Sequence, residues 1–250
     1  MTWQAATREI DVWSTTVRLD VRGETVARAP GAFDRVGAFL DDVDAWFSTF
    51  RDDTPVHLIR SGRLAEEDAP AIVRQVLAAC RIARDLTAGA FDPWAVPGGV
   101  DPSGYVKGWA AARACTMLRE AGFANVSVNA GGDVVCRGAA APGEPWRIGV
   151  RHPVETDKVA RVVEVHDGAV ATSGTYERGL HVIDPATGRP AADVVSATVV
   201  GPDGGLADAA ATGLVVAGVA GLSWLPRFPG QWSAYVVVGD TATFTGPAFS

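Results

Sequence analysis

Apolar side chains at Val36, Leu40, Val43, Phe47 and Phe50 recur at alternating intervals of four and three, which predicts an amphipathic helix with Asp41, Asp42 and Asp44 on its wet face. Ile72, Val76, Cys80 and Ala83 repeat the pattern behind Asp68 and Pro70, residues suited to a helix start. A third helix is predicted from about Lys107 to Ala121, stopped by Gly122, and a fourth, almost wholly apolar, through Ala207 to Val216. Ile10 to Val26 reads as a hairpin turning near Arg22-Gly23, and Val126 to Asn129 as a strand leading into Gly131-Gly132. Beyond residue 145 short β-rich segments take over, at Trp146 to Val150, Val159 to Val165, Ala169 to Ala171, Leu180 to Ile183, Val194 to Val200, Ala234 to Val238 and Thr241 to Thr245. Helices and strands alternate without the strict βαβ rhythm of a parallel sheet, so the expected class is α+β with mixed, mostly antiparallel sheets and flanking helices. The loop Ala139-Ala140-Ala141-Pro142-Gly143 is too short to part independent domains. Residues 1–250 are therefore read as one domain, or two closely packed α+β subdomains.

The composition narrows the function classes. Of 250 residues, 48% are hydrophobic and 20% charged, the balance of an ordinary globular chain with a sizeable core. The net charge of −7, with no Lys/Arg stripe along any predicted element, argues against a general nucleic-acid binder. Cys80, Cys115 and Cys136 form no CxxC pair and read as reduced core filler. Residues Met1 to Asp20 contain Arg8, Glu9 and Asp11 and no apolar signal-peptide stretch, and no run reaches the eighteen or so apolar residues of a membrane span. The expectation is a cytoplasmic protein without a transmembrane segment.

One pair of residues breaks the apolar pattern. Asp208 and Thr212 stand one helical turn apart within an Ala-rich segment, so their oxygens share a face of a buried helix. A buried carboxylate is costly unless neutralised, and a compact set of hard oxygens suits Mg²⁺ (magnesium). The alternative is that Asp208 caps the helix after Gly204-Gly205 while Thr212 bonds back to its own backbone.

Four further islands of polar and glycine residues interrupt the chain: Gly89-Ala90-Phe91-Asp92-Pro93, Asp101 to Gly108, Asn129-Ala130-Gly131-Gly132-Asp133, and Thr172 to Arg178 running on to His181-Val182-Ile183-Asp184-Pro185. Each alone has a turn-forming explanation. Together and in this order they resemble the ApbE-type family, the FAD:protein FMN transferases. Phe47 to Thr54 resembles that family's early helix-end motif, His181 to Gly188 its His-hydrophobe-hydrophobe-Asp-Pro-x-x-Gly segment, and Ala207 to Thr212 its Ala-Asp-Ala-x-x-Thr signature.

The resemblance implies an ApbE-like α+β fold around a central nucleotide-binding cleft. It implies an Mg²⁺-dependent enzyme that cleaves the pyrophosphate of FAD, releases AMP and links FMN through a phosphoester to a Thr of an acceptor protein. Carried over residue by residue, the metal set is Asp208, Thr212 and the Gly104 carbonyl, and the nucleotide contacts are Ala90, Phe91, Asp92, Asp101, Lys107 and Val182. His181 is the implied general base and Asp208 shares the catalytic role through the metal. His181 also has a plain structural alternative, a polar group satisfied by Asp184, and Lys107 one as an exposed first-turn residue. Two positions depart from the family: Arg60 stands where an Asn is common, and Trp94 follows Phe91-Asp92-Pro93 where Thr is frequent. An FAD pyrophosphatase releasing FMN and AMP, and a flavin-binding carrier, remain as alternatives.

Overall fold

The computed structural model describes residues 3–155, 157–174 and 182–249. Strands β1 (Gln4–Val12) and β2 (Thr15–Gly23) form the first hairpin. It reverses at Trp13-Ser14, both with positive φ, and not at Arg22-Gly23 as the sequence suggested. The misplacement is physical, because a bulky aromatic is a poor turn former and only the Val12↔Thr15 register forces it there.

Helix α1 (Ala29–Phe47) buries Val36, Leu40, Val43 and Phe47 as the periodicity requires. Phe50 falls past its end and is 98% exposed, a correction to the predicted stripe. Helix α2 (Pro55–Arg60), not foreseen, is a single capped turn and a half: the Thr54 hydroxyl accepts the His57 N–H at 3.1 Å. Helix α3 (Ala71–Leu86) seats Val76, Cys80 and Ala83 in the core. Helix α4 (Ser103–Glu120) begins ahead of Lys107, and α5 (Gly204–Ala217) is capped by Asp203, whose Oδ1 accepts the Leu206 N–H at 2.8 Å. Asp208 is thus not the cap.

The remaining strands are β3 (Asn125–Ala130), β4 (Asp133–Arg137), β5 (Trp146–Arg151), β6 (Val159–Val165), β7 (Gly168–Gly174), β8 (Val194–Gly201), β9 (Ser233–Val238) and β10 (Thr241–Thr245). Of the ten strands among the described residues, eight make one antiparallel sheet in the order β1-β2-β3-β4-β7-β8-β9-β10, and β5-β6 form a separate hairpin. Strand β4 escaped the pattern because four of its five residues are buried and nothing alternates. The expected strand at Leu180 to Ile183 lies partly outside the described residues, and Ile183 makes only an isolated bridge to Pro190.

Alternation sorts the sheet into two faces. Val17, Leu19, Val21, Val126, Val128, Val135, Ala171, Ala197 and Val236 point to the helices and join the main core. Val134, Cys136, Val170, Tyr235 and Val237 point the other way and pack with Trp146, Val150, Val163 and Val165 of the β5-β6 hairpin. The class is α+β with helices on one face. All three cysteines are buried and free, and burial raises each thiol, that of Cys136 to about 11.

Two helices set the geometry of the helical face. α4 lies in the long connection from β2 to β3 and α5 in that from β8 to β9, and the two pack directly on each other. Gly108 meets Gly204 backbone to backbone, so a Cβ on either would overlap the other's carbonyl. By length and mean hydropathy the segment Gly204–Arg227 is apolar enough to cross a bilayer, a stretch that counting uninterrupted apolar residues passes over. Its place in the core explains that composition, since α5 is walled by α4, β7 and β8 and the chain turns at Gly218 with a φ of 60°. Gly108→Ala is expected to lower stability by about 3 kcal/mol, more than an Ala substitution in an exposed helix, as thermal or urea unfolding would report.

Candidate active site

Asp208 is 1% exposed and lies on the face of α5 turned towards α4. Its Oδ2 accepts the Gly108 N–H at 3.3 Å, and Oδ1 is 4.0 Å from the Lys107 ammonium. Thr212, one turn on, is half-buried, and its Oγ1 lies 3.2 Å from the Ser173 Oγ on β7. It also lines the space at Gly104, where an added Cβ would come within 2.9 Å of Thr212 Oγ1 and 3.3 Å of the Phe91 ring. Gly104 has a ψ of 17°, well off the helical value, which turns its carbonyl out of the axial direction. Antiparallel packing therefore matches Gly104 to Thr212 and Gly108 to Asp208, and the three residues assigned to the metal come together.

Their donor set is one carboxylate, one or two hydroxyls and a carbonyl, all hard oxygens, which fits Mg²⁺ and leaves positions for phosphate or water. Among the described residues no group of three or more His, Cys, Asp or Glu side chains forms a metal set. A cation held here would complete its coordination with phosphate oxygens or water.

Lys107 stands beside this set. Its Nζ is 2.7 Å from Asp133 Oδ2, a carboxylate 2% exposed at the start of β4. The plain reading of Lys107 as an exposed first-turn residue is excluded, for the side chain crosses to the sheet. Asp133 is a site residue the sequence offered only as part of the Gly131-Gly132-Asp133 turn, and Ser173 only as part of a Ser-Gly dipeptide. Asp133 is marked by its burial and Ser173 by its contact across to α5, neither of which a lone sequence displays.

The Ala90-Phe91-Asp92 loop closes the other side. Thr87, buried at the end of α3, accepts the Phe91 N–H through Oγ1 at 3.2 Å while donating to the Ala83 carbonyl at 2.9 Å. Phe91 is thereby held against Gly104, and its backbone against Gly213 of α5. Asp92 Oδ1 accepts the Trp94 N–H at 2.9 Å in an Asx turn. Trp94 faces α3, with the Arg81 and Arg84 guanidinium carbons 4.6 and 5.7 Å from its ring.

Asp101 sits one residue before the α4 entrance, with Oδ1 accepting the Ser103 N–H at 3.0 Å and Oδ2 4.0 Å from Arg60. Val182 is buried in the main core, its carbonyl accepting the Ala191 N–H. His181 lies outside the described residues. Its suggested partner Asp184 is committed to its own turn, with Oδ1 accepting the Ala186 N–H at 2.8 Å and Oδ2 the Thr187 hydroxyl at 2.9 Å. A groove of about 330 Å³ on the opposite sheet face, lined by Arg18, Asp20, Arg22 and Trp146, contains none of these residues. Convergent polar chemistry, not volume, marks the α4-α5 contact as the site.

Comparison with known proteins gives the family and the fold. The model of the ApbE family matches residues 97–236. The FAD:protein FMN transferase of Rhodobacter capsulatus is 36% identical over 249 residues, spanning 95% of this chain and 44% of that protein. The FAD:protein FMN transferase of Vibrio cholerae serotype O1 is 40% identical over 129 residues, 48% of this chain and 39% of that protein. The chain thus spans less than half the length of these curated relatives. The flavin transferase ApbE from Vibrio cholerae superposes with a TM-score of 0.86 at 23% identity, covering 99% of this chain and 98% of the other. The ApbE protein of Thermotoga maritima does so at 0.83 and 24%, covering 98% of each. At those identities the structures show the fold.

Proposed function

The chain belongs to the ApbE family, and on that premise we propose that it is an Mg²⁺-dependent FAD:protein FMN transferase acting on a Thr hydroxyl of an acceptor protein. The observation that carries this reading is the convergence of Gly104, Asp208 and Thr212 at one helix contact, with the Lys107 ammonium 4.0 Å from Asp208. That combination suits a pyrophosphate, whose charge must be offset before a nucleophile approaches.

Asp208, Thr212 and the Gly104 carbonyl would hold the cation. When bound, Mg²⁺ supplies charge neutralisation on the pyrophosphate. Lys107, braced by Asp133, adds a fixed positive charge at the phosphates. The Ala90-Phe91-Asp92 loop, Asp101 and Val182 orient the nucleotide, Asp101 as a hydrogen-bond acceptor. In the transfer, the acceptor Thr oxygen bonds to the FMN phosphorus as the bond to the AMP phosphate breaks, and AMP departs with that electron pair. The hydroxyl proton goes to His181, which as a neutral imidazole accepts it near neutral pH. An in-line approach of hydroxyl to phosphorus is the geometry such a displacement needs.

Incubation with FAD and Mg²⁺, with and without an acceptor domain bearing the target Thr, tests the reading. AMP release together with a fluorescent acceptor on a denaturing gel is expected. AMP without labelled acceptor would make the chain a pyrophosphatase, and bound FAD without AMP a carrier. Asp208→Asn is expected to lower AMP release at least about 100-fold and to abolish the Mg²⁺-dependent rise in melting temperature seen with FAD. An unchanged rise would remove Asp208 from the metal set. His181→Ala is expected to lower kcat by roughly 100-fold or more with FAD affinity retained, and equal losses in both would assign His181 to binding.

A further inference from the structure

Arg60 is the last residue of α2, and its guanidinium is wrapped by the loop that leads into α4. Nη2 donates to the Pro97 carbonyl at 2.5 Å, and Nη1 to the Gly99 and Val100 carbonyls at 3.4 Å each. Nη1 is also 4.0 Å from Asp101 Oδ2. The loop is shaped for this cation: Gly98 and Gly99 have φ of 84° and 101°, and a Cβ on Gly98 would stand 2.6 Å from Nη2. From the loop the contacts continue inward. The Asp101 N–H donates to the Pro93 carbonyl at 2.9 Å, and the Asp101 carboxylate takes the Ser103 N–H at the first turn of α4. Gly104 and Lys107 follow within that turn and the next.

We propose that Arg60 is a positioning residue that fixes the 97–101 loop and thereby the Asp101 carboxylate and the entrance of α4, and that it is not a phosphate ligand. A planar fork that meets several carbonyls at once explains why Arg stands here and why Lys would not replace it, since an ammonium offers one compact charge on a flexible stem. The fixed loop presents Asp101 to the nucleotide in a single orientation, so its ordering is complete before FAD arrives. The loop's order is independent of any activity. Its effect on FAD binding rests on the flavin reading above.

Amide hydrogen exchange of the FAD-free protein and FAD affinity in the presence of Mg²⁺ together test this. Arg60→Ala and Arg60→Lys are both expected to speed exchange at the Asp101 and Ser103 amides roughly tenfold or more, with the Val128 amide of β3 unchanged as the control for global opening. Gly98→Ala, which displaces the guanidinium without removing charge, is expected to do the same. Each single variant is expected to weaken FAD binding, and Arg60→Ala combined with Gly98→Ala to weaken it no further than Arg60→Ala alone. Unchanged exchange in Arg60→Ala, full rescue by Arg60→Lys, or additive losses in the double variant would each overturn the proposal. A wild-type protein that binds no FAD would overturn the flavin reading instead, and the exchange measurements would then decide the role of Arg60 alone.

Discussion

The backbone-to-backbone approach of α4 and α5 is the constraint on which the site depends. Where Gly108 faces Gly204 there is room for no side chain, and that closeness sets Asp208 and Thr212 of α5 against Gly108 and Gly104 of α4. The cost is a polar group in an apolar wall. It is met locally, by the Gly108 N–H on one oxygen of Asp208 and the nearby Lys107 ammonium on the side of the other. Packing and the candidate site thus use the same contact: a residue that loosened the helices to relieve crowding would also scatter these oxygens.

The helical part of the fold was legible because its physics is local. Val36 to Phe47 and Val76 to Ala83 announce their buried faces by period alone, and the helix holding Asp208 is betrayed by a carboxylate where none belongs. The first turn was misread because Trp13-Ser14 carries no turn signal of its own; its conformation is imposed by the cross-strand register. Strand β4 was missed because burial on both faces erases alternation, and α2 because a helix of six residues shows less than two periods. The apolar run through Gly204–Arg227 was underestimated for a related reason, since small residues dilute its hydrophobic signature although the whole window is apolar on average.

At the site, the residues on one element were readable and the pairings between elements were not. Asp208 with Thr212, and Gly104 with Lys107, are short-range patterns on single helices. The Lys107 to Asp133 contact joins residues 26 apart, and Ser173 to Thr212 joins residues 39 apart, so both wait on topology. Arg60 is the clearest case. The sequence shows only a charge where the family commonly has Asn, whereas in the fold its guanidinium is committed to backbone carbonyls of a glycine-bearing loop. A side chain's chemistry sets what it can bind, and its neighbours decide what it does bind.

The order of strands along the sheet follows the order along the chain except for the excursion that holds β5 and β6, so most of the sheet assembles from sequential hairpins. The two connections that leave this meander, one carrying α4 and the other α5, are separated along the chain by strands β3 to β8 and meet on one face of the sheet. A chain broken anywhere between them would therefore carry the two halves of the candidate site on separate fragments.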